Sequence, residues 1–379
     1  MTEELEAIGA AFEIPGRFAG ASLLKVGHIH DTFAATYQEG ERRLRYVHQR
    51  LNGRVFQDLE ALMENLVRIT RHQWEHLRSA GIPDPERRCL RLVRARSGRP
   101  FHVDEEGGIW RTFHFLEGVS SRDTIAEPAQ AYQVGRAFGS FAASLRDLPG
   151  PPLAVTIPRF HDLPARFAAF EEAVAADSQR RAASVSAEID AAAARFQGLT
   201  RLLAERGFAG LPRRVVHNDC KIDNAMLDDE TGEGLCVIDL DTVMEGTTLC
   251  DFGELVRTGT SRAPEDAVDL ASIRFELDLF RAATRGYLDG AASLLTAEEI
   301  AVLPLSGPVM ALENAIRFLT DHLRGDVYFR IHRKGQNLDR FRSQLRLVEL
   351  MSERLEEMGE IVEEAWRERG ARAGGPAKK

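Results

Sequence analysis

The 379-residue sequence has few cysteines, and the four present are scattered along the chain. They form neither a disulfide framework nor a C-x-x-C metal site, so reduced thiols are expected. Apolar runs are short too, because none approaches the roughly 18 residues of a membrane-spanning helix. The first 13 residues lack the apolar core of a signal peptide. We therefore predict a cytoplasmic protein with no membrane partner.

The chain also lacks an excess of positive charge. It has 49 Lys and Arg against 58 Asp and Glu, a formal net charge of −9 at pH 7. Nucleic acids are bound mainly through Lys and Arg, so this balance predicts no nucleic-acid partner and favours a small-molecule substrate. The length is sufficient for two lobes around a cleft, while the oligomeric state is left open.

The most informative segment has the sequence HNDCKIDN and occupies residues 217–224. A short apolar run follows at 236–238 and ends at Asp239. Phosphoryl transfer from a nucleotide needs one carboxylate to orient the attacking hydroxyl and a cation against the phosphate. It also needs oxygen ligands for Mg²⁺, which an amide and a second carboxylate supply. The order and spacing match the protein-kinase pattern H-R-D-x-K-x-x-N.

This match predicts a role for each residue of the segment. Asp219 is the predicted catalytic carboxylate, and Asn224 and Asp239 are the predicted metal ligands. Lys221 is predicted to reach the γ-phosphate, with a surface ion pair as the alternative. His217 is predicted to bond the loop backbone rather than to act as an acid or base.

A literal DFG sequence follows at Asp251. The metal-binding Asp of a kinase must end the strand after the catalytic loop, and Asp239 does so. Asp251 is therefore expected to cap the next helix or to tie the catalytic loop together. For Asp241 we prefer a role in shaping the turn, with metal binding as the alternative.

Hydrophobic periodicity divides the chain into two parts. Alternation between residues 21 and 51 predicts antiparallel strands, and residues 89–93 and 109–115 are expected to add two more. Residues 58–78 have a helical period. After residue 118 the chain is mostly helical, with helices predicted at 129–146, 160–176, 182–206, 266–288, 296–324 and 337–367.

These elements predict an α+β fold with two lobes, similar to that of protein kinases. An N-terminal antiparallel sheet with one helix forms a nucleotide-binding lobe in residues 1–117. Residues 118–368 form a mostly helical catalytic and substrate lobe. Residues 369–379, which contain Gly374-Gly375-Pro376, are predicted to be a disordered tail.

Nucleotide contacts are predicted in the N-terminal lobe. Gly27 to Thr32 lies between two strands, where a phosphate-covering loop belongs, although it has one glycine rather than three. Strand three has no obvious lysine to bind the α- and β-phosphates. Arg50 is the predicted cation, and strand alternation leaves Gln49 as the alternative inward residue.

The helix and the hinge complete the predicted nucleotide site. Glu60 or Glu64 is the expected helix partner of the strand-three cation, and the sequence does not separate the two. Phe113 and Phe115 mark the expected hinge, where backbone groups would bind adenine.

The sequence resembles the aminoglycoside phosphotransferase and choline kinase superfamily, and most closely the N-acetylhexosamine 1-kinases within it. The matching stretches extend from residue 27 to about 350 and so cover nearly the whole chain. The C-terminal set is the most discriminating, because general superfamily members lack it. The stretches are residues 27–33, 49–52, 55–56, 156–161, 217–227, 237–244, 251–253, 317–321, 325–326 and 328–329.

This resemblance implies an ATP- and Mg²⁺-dependent kinase that phosphorylates the anomeric hydroxyl of an N-acetylhexosamine, GlcNAc or GalNAc, to give the sugar 1-phosphate. It implies substrate contacts at His30, Asp31, Asp219, Arg317 and Tyr328. The alternative for Arg317 is an ion pair on its helix with Glu313 or Asp321. The alternative for Tyr328 is core packing.

Other functions fit the sequence less well. A kinase of aminoglycosides, choline-like alcohols or another sugar is the nearest alternative. With three Trp and five Tyr in the chain, an aromatic cage for choline is disfavoured. A protein kinase is disfavoured because no A-P-E segment follows Asp251. A nucleotide-binding pseudokinase is a further alternative, which the intact Asp219, Asn224 and Asp239 disfavour. A hydrolase would need a second metal-ligand cluster.

Overall fold

The computed structural model describes residues 2–26, 30–291 and 293–373. After helix α1 (Thr2–Ala10), the N-terminal part forms one antiparallel sheet. Its strands lie in the order β1 (Arg17–Val26), β2 (Asp31–Glu39), β3 (Arg42–Arg50), β5 (Ile109–His114) and β4 (His102–Val103). This confirms the predicted antiparallel sheet. Residues 89–93 were expected to form a strand, but they make only an isolated bridge between Leu92 and Phe113.

Helix α2 (Leu59–Ser79) packs against the sheet, as its apolar spacing predicts. Leu62, Leu66 and Ile69 are buried on one face, three or four residues apart. The helix begins where the Asp58 carboxylate accepts a hydrogen bond from the backbone N–H of Ala61.

The two faces of the sheet have different partners. Leu5, Phe12, Phe33 and Trp110 belong to a small core between α1 and one face. The large core, to which Phe113 belongs, lies on the other face and continues through the helical part. The second face is therefore the one directed towards the helical part.

The rest of the described chain is mostly helical, which confirms the predicted fold class. The elements are β6 (Val119–Ser120), α3 (Pro128–Ser144), α4 (Leu163–Ala176), α5 (Ser186–Glu205), β7 (Arg214–Val216), β8 (Ala225–Asp228), β9 (Gly234–Val237), β10 (Met244–Gly246), α6 (Thr248–Gly259), α7 (Leu277–Ala291), α8 (Ala297–Arg324), α9 (Gln336–Ser352) and α10 (Leu355–Ala373). No helix among the described residues is long and apolar enough to cross a membrane.

Two of the predicted helices differ from those in the structure. The helix expected at 266–288 starts only at Leu277, because the Asp269 carboxylate accepts from the N–H of Ala271 and closes a separate short turn. The helix expected at 337–367 is divided into α9 and α10. Helix α8 is buried along most of its length, and it starts with a capping box between Thr296 and Glu299.

Helices α3 and α7 cross in close contact because glycines lie at the crossing. A Cβ atom on Gly139 would lie 2.3 Å from the Tyr287 carbonyl oxygen, and one on Gly286 would lie 2.0 Å from that of Tyr132. Such contacts are too short for any side chain, so the two backbones must separate if either glycine is replaced.

We therefore expect Gly139→Ala to lower the free energy of unfolding by about 1–3 kcal/mol, through overpacking. Gly198 on α5 is the matched control, since a Cβ atom added there would have nothing within 4 Å. The Gly198→Ala variant should raise the free energy of unfolding by about 0.5–1 kcal/mol through helix propensity alone. Chemical denaturation of both variants measures the difference. A Gly139→Ala variant as stable as Gly198→Ala would contradict the close crossing.

Candidate active site

The loop at residues 217–221 is held by a buried carboxylate from α6. Asp251 accepts hydrogen bonds from the backbone N–H groups of His217, at 3.0 Å, and Asn218, at 2.7 Å. The His217 ring bonds the carbonyl of Ile238 and accepts from the N–H of Asp219. Both expectations are confirmed: Asp251 ties this loop together, and His217 bonds backbone.

Asp219, Lys221 and Asn224 come together at the end of this loop. The Lys221 Nζ lies 3.1 Å from the Asp219 Oδ2. The Asn224 Nδ2 donates to the Asp219 carbonyl at 2.9 Å and to Oδ2 at 3.2 Å. Burial acts to raise the pKa of Asp219, but Lys221, His217 and His161 together outweigh burial and the pKa is lowered. The Asp219 carboxylate is therefore ionised at neutral pH.

Asp239 follows β9 and lies beside this group. The N–H of Ile238 donates to the Asn224 carbonyl at 2.9 Å, which ties the two segments together. Within the described residues, no hydrogen bond reaches the Asp239 carboxylate. Burial and the carboxylates of Asp241 and Asp219 raise its pKa. A cation would relieve this crowding of negative charge.

The oxygen donors here fit Mg²⁺. The side-chain nitrogen of Asn224 donates to Asp219, so the Oδ1 oxygen of Asn224 takes no part in that contact. Mg²⁺ commonly takes one or two protein oxygens and completes its shell with water and nucleotide phosphates. Asn224 and Asp239 provide such a pair.

A buried ion pair that the sequence did not reveal connects the sheet to the segment after Asp239. Arg111 on β5 is 2% exposed, and its two terminal nitrogens lie 2.5 and 2.7 Å from the Asp241 carboxylate oxygens. Gln49 accepts from the same guanidinium. Burial acts to raise the pKa of Asp241, but Arg111 and His30 together outweigh burial and hold this pKa well below its usual range. Asp241 thus has the structural role that we preferred.

Strand alternation corrects the predicted strand-three cation. Gln49 donates to the Thr32 hydroxyl and accepts from Arg111, so these three side chains share the face directed towards the helical part. Arg50, the next residue, lies on the opposite face, near Asp104 and Glu106. The prediction for Arg50 is therefore wrong, and Gln49 points inward.

Asp31 and His30 also differ from the prediction that they contact the substrate. Asp31 pairs with Arg50 in the strand register and so shares its face, away from Thr32. Both ring nitrogens of His30 are occupied, one by Asp241 at 2.8 Å and the other by the N–H of Asn52 at 3.0 Å. Neither nitrogen is left for a sugar hydroxyl.

The structure describes all but one of the remaining residues that were predicted to bind the nucleotide. Gly27 lies outside the described residues. Phe113 is buried in the large core, with the Arg111 guanidinium 5.2 Å from its ring centre. Phe115 is half-buried at the end of the sheet, beneath the guanidinium of Arg45. Thr32 and Phe113 therefore share the face directed towards the helical part.

The carboxylate of Asp321 on α8 holds the loop that follows this helix through hydrogen bonds. Asp321 accepts from three successive backbone N–H groups, those of residues 327, 328 and 329, and from the Asn337 side chain. Tyr328 on this loop is 64% exposed, so core packing does not explain it. Arg317 makes no ion pair with Glu313 or Asp321, whose carboxylates are bonded elsewhere. Neither alternative for these two residues holds.

A cavity of about 220 Å³ lies beside this loop. We call it the arginine pocket, because Arg166, Arg317 and Arg324 line it together with Thr320, Tyr328 and Phe329. The guanidinium of Arg317 lies 5.8 Å from the ring centre of Phe160.

His161, which the sequence did not single out, joins α8 to the catalytic loop. Its Nδ1 lies 2.9 Å from the Glu313 Oε1, and its Nε2 lies 2.6 Å from the carbonyl oxygen of Asn218. A carboxylate and a carbonyl both accept, so the ring must donate from both nitrogens and carry a positive charge. Burial acts to lower the pKa of His161, but the Glu313 carboxylate and the Asn218 carbonyl together outweigh burial and the pKa is raised.

We expect His161→Gln and Glu313→Gln each to lower the free energy of unfolding by about 3–5 kcal/mol, because each leaves a buried charge without its partner. The double variant removes both charges and should lose clearly less than the sum of the two. Chemical denaturation of the four proteins measures this coupling. Additive losses would show that the pair is not ionised.

Comparison with known proteins finds one matching family model and several structures of similar fold. The model of the phosphotransferase enzyme family (APH) matches residues 21–287. Structures of similar fold include an aminoglycoside phosphotransferase from Alicyclobacillus acidocaldarius, with a TM-score of 0.62, 12% identity, and 94% of this chain and 96% of that chain covered. A microcompartment-associated aminopropanol kinase has a TM-score of 0.58 and 15% identity, with 94% of this chain and 98% of that chain covered.

A third similar structure is that of an amicoumacin kinase in complex with AMP-PNP and Ca²⁺. It has a TM-score of 0.54 and 12% identity, with 92% of this chain and 96% of that chain covered. At these identities the similar structures show the fold alone. The family model, in contrast, matches well over half of the sequence, and its match includes the loop and strands that carry Asp219, Asn224 and Asp239. This chain therefore belongs to the phosphotransferase enzyme family.

Proposed function

We propose that this protein transfers the γ-phosphate of ATP to the anomeric hydroxyl of an N-acetylhexosamine and releases the sugar 1-phosphate. The observation that carries the proposal is the convergence of Asp219, Lys221, Asn224 and Asp239 in a member of the phosphotransferase family. The choice of sugar rests on the sequence resemblance to N-acetylhexosamine 1-kinases.

Asp219 is the group that would receive the acceptor hydroxyl. Its Oδ2 is occupied by Lys221 and Asn224, so Oδ1 is the oxygen available to accept from the hydroxyl. Its lowered pKa keeps it ionised as a hydrogen-bond acceptor. In phosphoryl transfer, orientation and charge stabilisation supply most of the catalysis. Lys221 lies where its ammonium would neutralise charge on the transferred phosphate.

Asn224 and Asp239 are the residues that would hold Mg²⁺. When bound, the ion would neutralise negative charge on the nucleotide phosphates. The amicoumacin kinase of similar fold contains both AMP-PNP and Ca²⁺, which supports a nucleotide and a divalent cation in this protein.

We assign nucleotide binding to residues 1–117, and catalysis and acceptor binding to residues 118–368. Thr32 and Phe113, on the face of the sheet that is directed towards Asp241, would lie against the nucleotide. Phe115 marks the hinge in this proposal. Arg50 is not among the proposed nucleotide contacts, because its side chain lies on the opposite face of the sheet.

On the acceptor side, Arg317 and Tyr328 are the proposed sugar contacts. Both line the arginine pocket, and Tyr328 presents its side chain to solvent. Proteins of similar fold act on aminopropanol and on aminoglycosides, so a different small-molecule acceptor is the second candidate. Amine-bearing acceptors are cationic, and three arginines around the pocket disfavour them.

An acceptor panel tests the proposed reaction. With ATP and Mg²⁺, N-acetylglucosamine or N-acetylgalactosamine should support ADP release, and their methyl glycosides should not, because the anomeric hydroxyl is blocked. Asp219→Asn should fold normally and lower kcat by about 10²–10⁴-fold, since an amide cannot take the hydroxyl proton. Turnover of an aminoglycoside or aminopropanol without turnover of any hexosamine would establish the second candidate.

Asp239→Asn and Asp251→Asn should have opposite effects on the ligand-free protein. Asp239→Asn removes a crowded negative charge, so we expect an unchanged or higher Tm and loss of Mg²⁺-dependent nucleotide binding. Asp251→Asn places an amide against two backbone N–H donors, so it should lower the Tm. Thermal unfolding without ligand and calorimetry with ADP and Mg²⁺ measure the two effects. Loss of metal-dependent binding in Asp251→Asn alone would move the metal site to the DFG sequence.

A further inference from the structure

We propose that the arginine pocket binds an anionic group carried by the acceptor, a carboxylate or a phosphate. The preferred acceptor is then an acidic N-acetylhexosamine rather than a neutral one. This inference rests on the proposed function and specifies its substrate class.

Among the described residues, two of the three guanidinium groups of the pocket have no carboxylate partner, and the third has only an exposed one. Arg166 donates from Nε and Nη2 to the carbonyl of Phe160, and Arg317 donates to the side-chain oxygen of Asn314 at 3.3 Å. Neither forms an ion pair within the part of the chain that the structure describes. The Nη2 atom of Arg324 lies 4.0 Å from the Oε2 atom of Glu172, and both of these side chains are exposed.

The one carboxylate that lines the pocket is already bonded. Asp321 accepts from three backbone N–H groups and from Asn337, so its oxygens are committed to the loop. Burial and the neighbouring Arg317 lower the pKa of Arg166, while the carboxylates of Glu313 and Asp162 act to raise it. The chain as a whole has a net charge of −9, whereas the three arginines bring positive charge to this pocket.

Arginine in such a setting favours a planar or tetrahedral oxyanion. The guanidinium donates two parallel hydrogen bonds to a carboxylate or phosphate, and burial strengthens them. The pocket of about 220 Å³ has roughly seven times the ~30 Å³ that one water molecule occupies in the liquid. It therefore has room for an anionic substituent.

A line of ring contacts connects the pocket to the reacting centre. The Arg317 guanidinium lies 5.8 Å from the centre of the Phe160 ring, and that ring lies 4.3 Å from the ring of His161. His161 in turn bonds the carbonyl of Asn218, the residue before Asp219. The pocket is therefore linked through neighbouring side chains to the loop that carries Asp219, and we assign to it the part of the acceptor that is remote from the reacting hydroxyl.

The test compares acceptors that differ in charge. N-acetylglucosamine is the neutral acceptor, N-acetylmuramic acid adds a carboxylate, and N-acetylglucosamine 6-phosphate adds a phosphate. With ATP and Mg²⁺, at least one acidic sugar should have a KM about tenfold or more below that of the neutral sugar, as expected for a charge-assisted hydrogen bond. Equal KM values for all three would overturn the inference.

A carboxylate placed inside the pocket provides a matched pair of variants. Ala169 lies on α4 and lines the pocket. Ala169→Glu should pair with the arginines and remove the KM advantage of the acidic sugar, while Ala169→Gln, of equal size, should keep it. Arg201→Met, an exposed arginine on α5, controls for loss of positive charge elsewhere and should leave all KM values unchanged. An advantage that survives Ala169→Glu would place the anion outside this pocket.

Binding measurements separate this inference from the proposed reaction. If none of the sugars is phosphorylated, the proposed function fails, and calorimetry with the same sugars still tests the pocket. Tighter binding of an acidic sugar to Ala169→Gln than to Ala169→Glu supports the inference without turnover. Inorganic phosphate that binds as tightly as the acidic sugars would show a site for a free anion and would overturn it.

Discussion

The buried ion pair between Arg111 and Asp241 is the constraint on which the site depends. It joins the fourth strand of the sheet order to the segment two residues after Asp239, and so connects the sheet to the helical part. Gln49 and His30 bond the same two side chains, so few of their polar atoms are left without a partner. Removing one partner of such a pair costs about 3–5 kcal/mol, because the other charge stays buried. The position of Asp239 therefore depends on the sheet as well as on β9.

Two further buried charges hold the catalytic loop from the helical side. Asp251 binds the N–H groups of His217 and Asn218, and the His161 imidazolium binds the carbonyl of Asn218. Asn218 itself has a φ of 64°, in the left-handed region, which side chains other than glycine adopt at a cost. An anion on one side of this residue and a cation on the other stabilise that conformation. Asp219 comes next in the chain, so its direction is set by both.

The sequence predicted the parts of the site that are close together along the chain. The spacing of Asp219, Lys221 and Asn224 predicted that they lie together, and the structure confirms it. The choice of Asp239 over Asp251 as the metal ligand stays a prediction. Contacts such as Arg111 with Asp241, or His161 with Glu313, join residues more than a hundred positions apart. No periodicity or spacing marks them, so only the fold reveals them. The wrong choice of Arg50 over Gln49 arose because strand alternation gives two faces and does not say which one is inward.

Helix α8 joins the loop that carries Asp219 to the arginine pocket through a single face. Glu313, Arg317 and Asp321 follow one another at intervals of four residues, and side chains with this spacing lie on one face of a helix. The first is bonded to His161, the second lines the arginine pocket, and the third holds the loop that carries Tyr328. Because α8 is buried along most of its length, it cannot readily shift one of these contacts without the others. The shape of the arginine pocket is therefore more easily changed at Arg166, Ala169 or the exposed loop than on α8 itself.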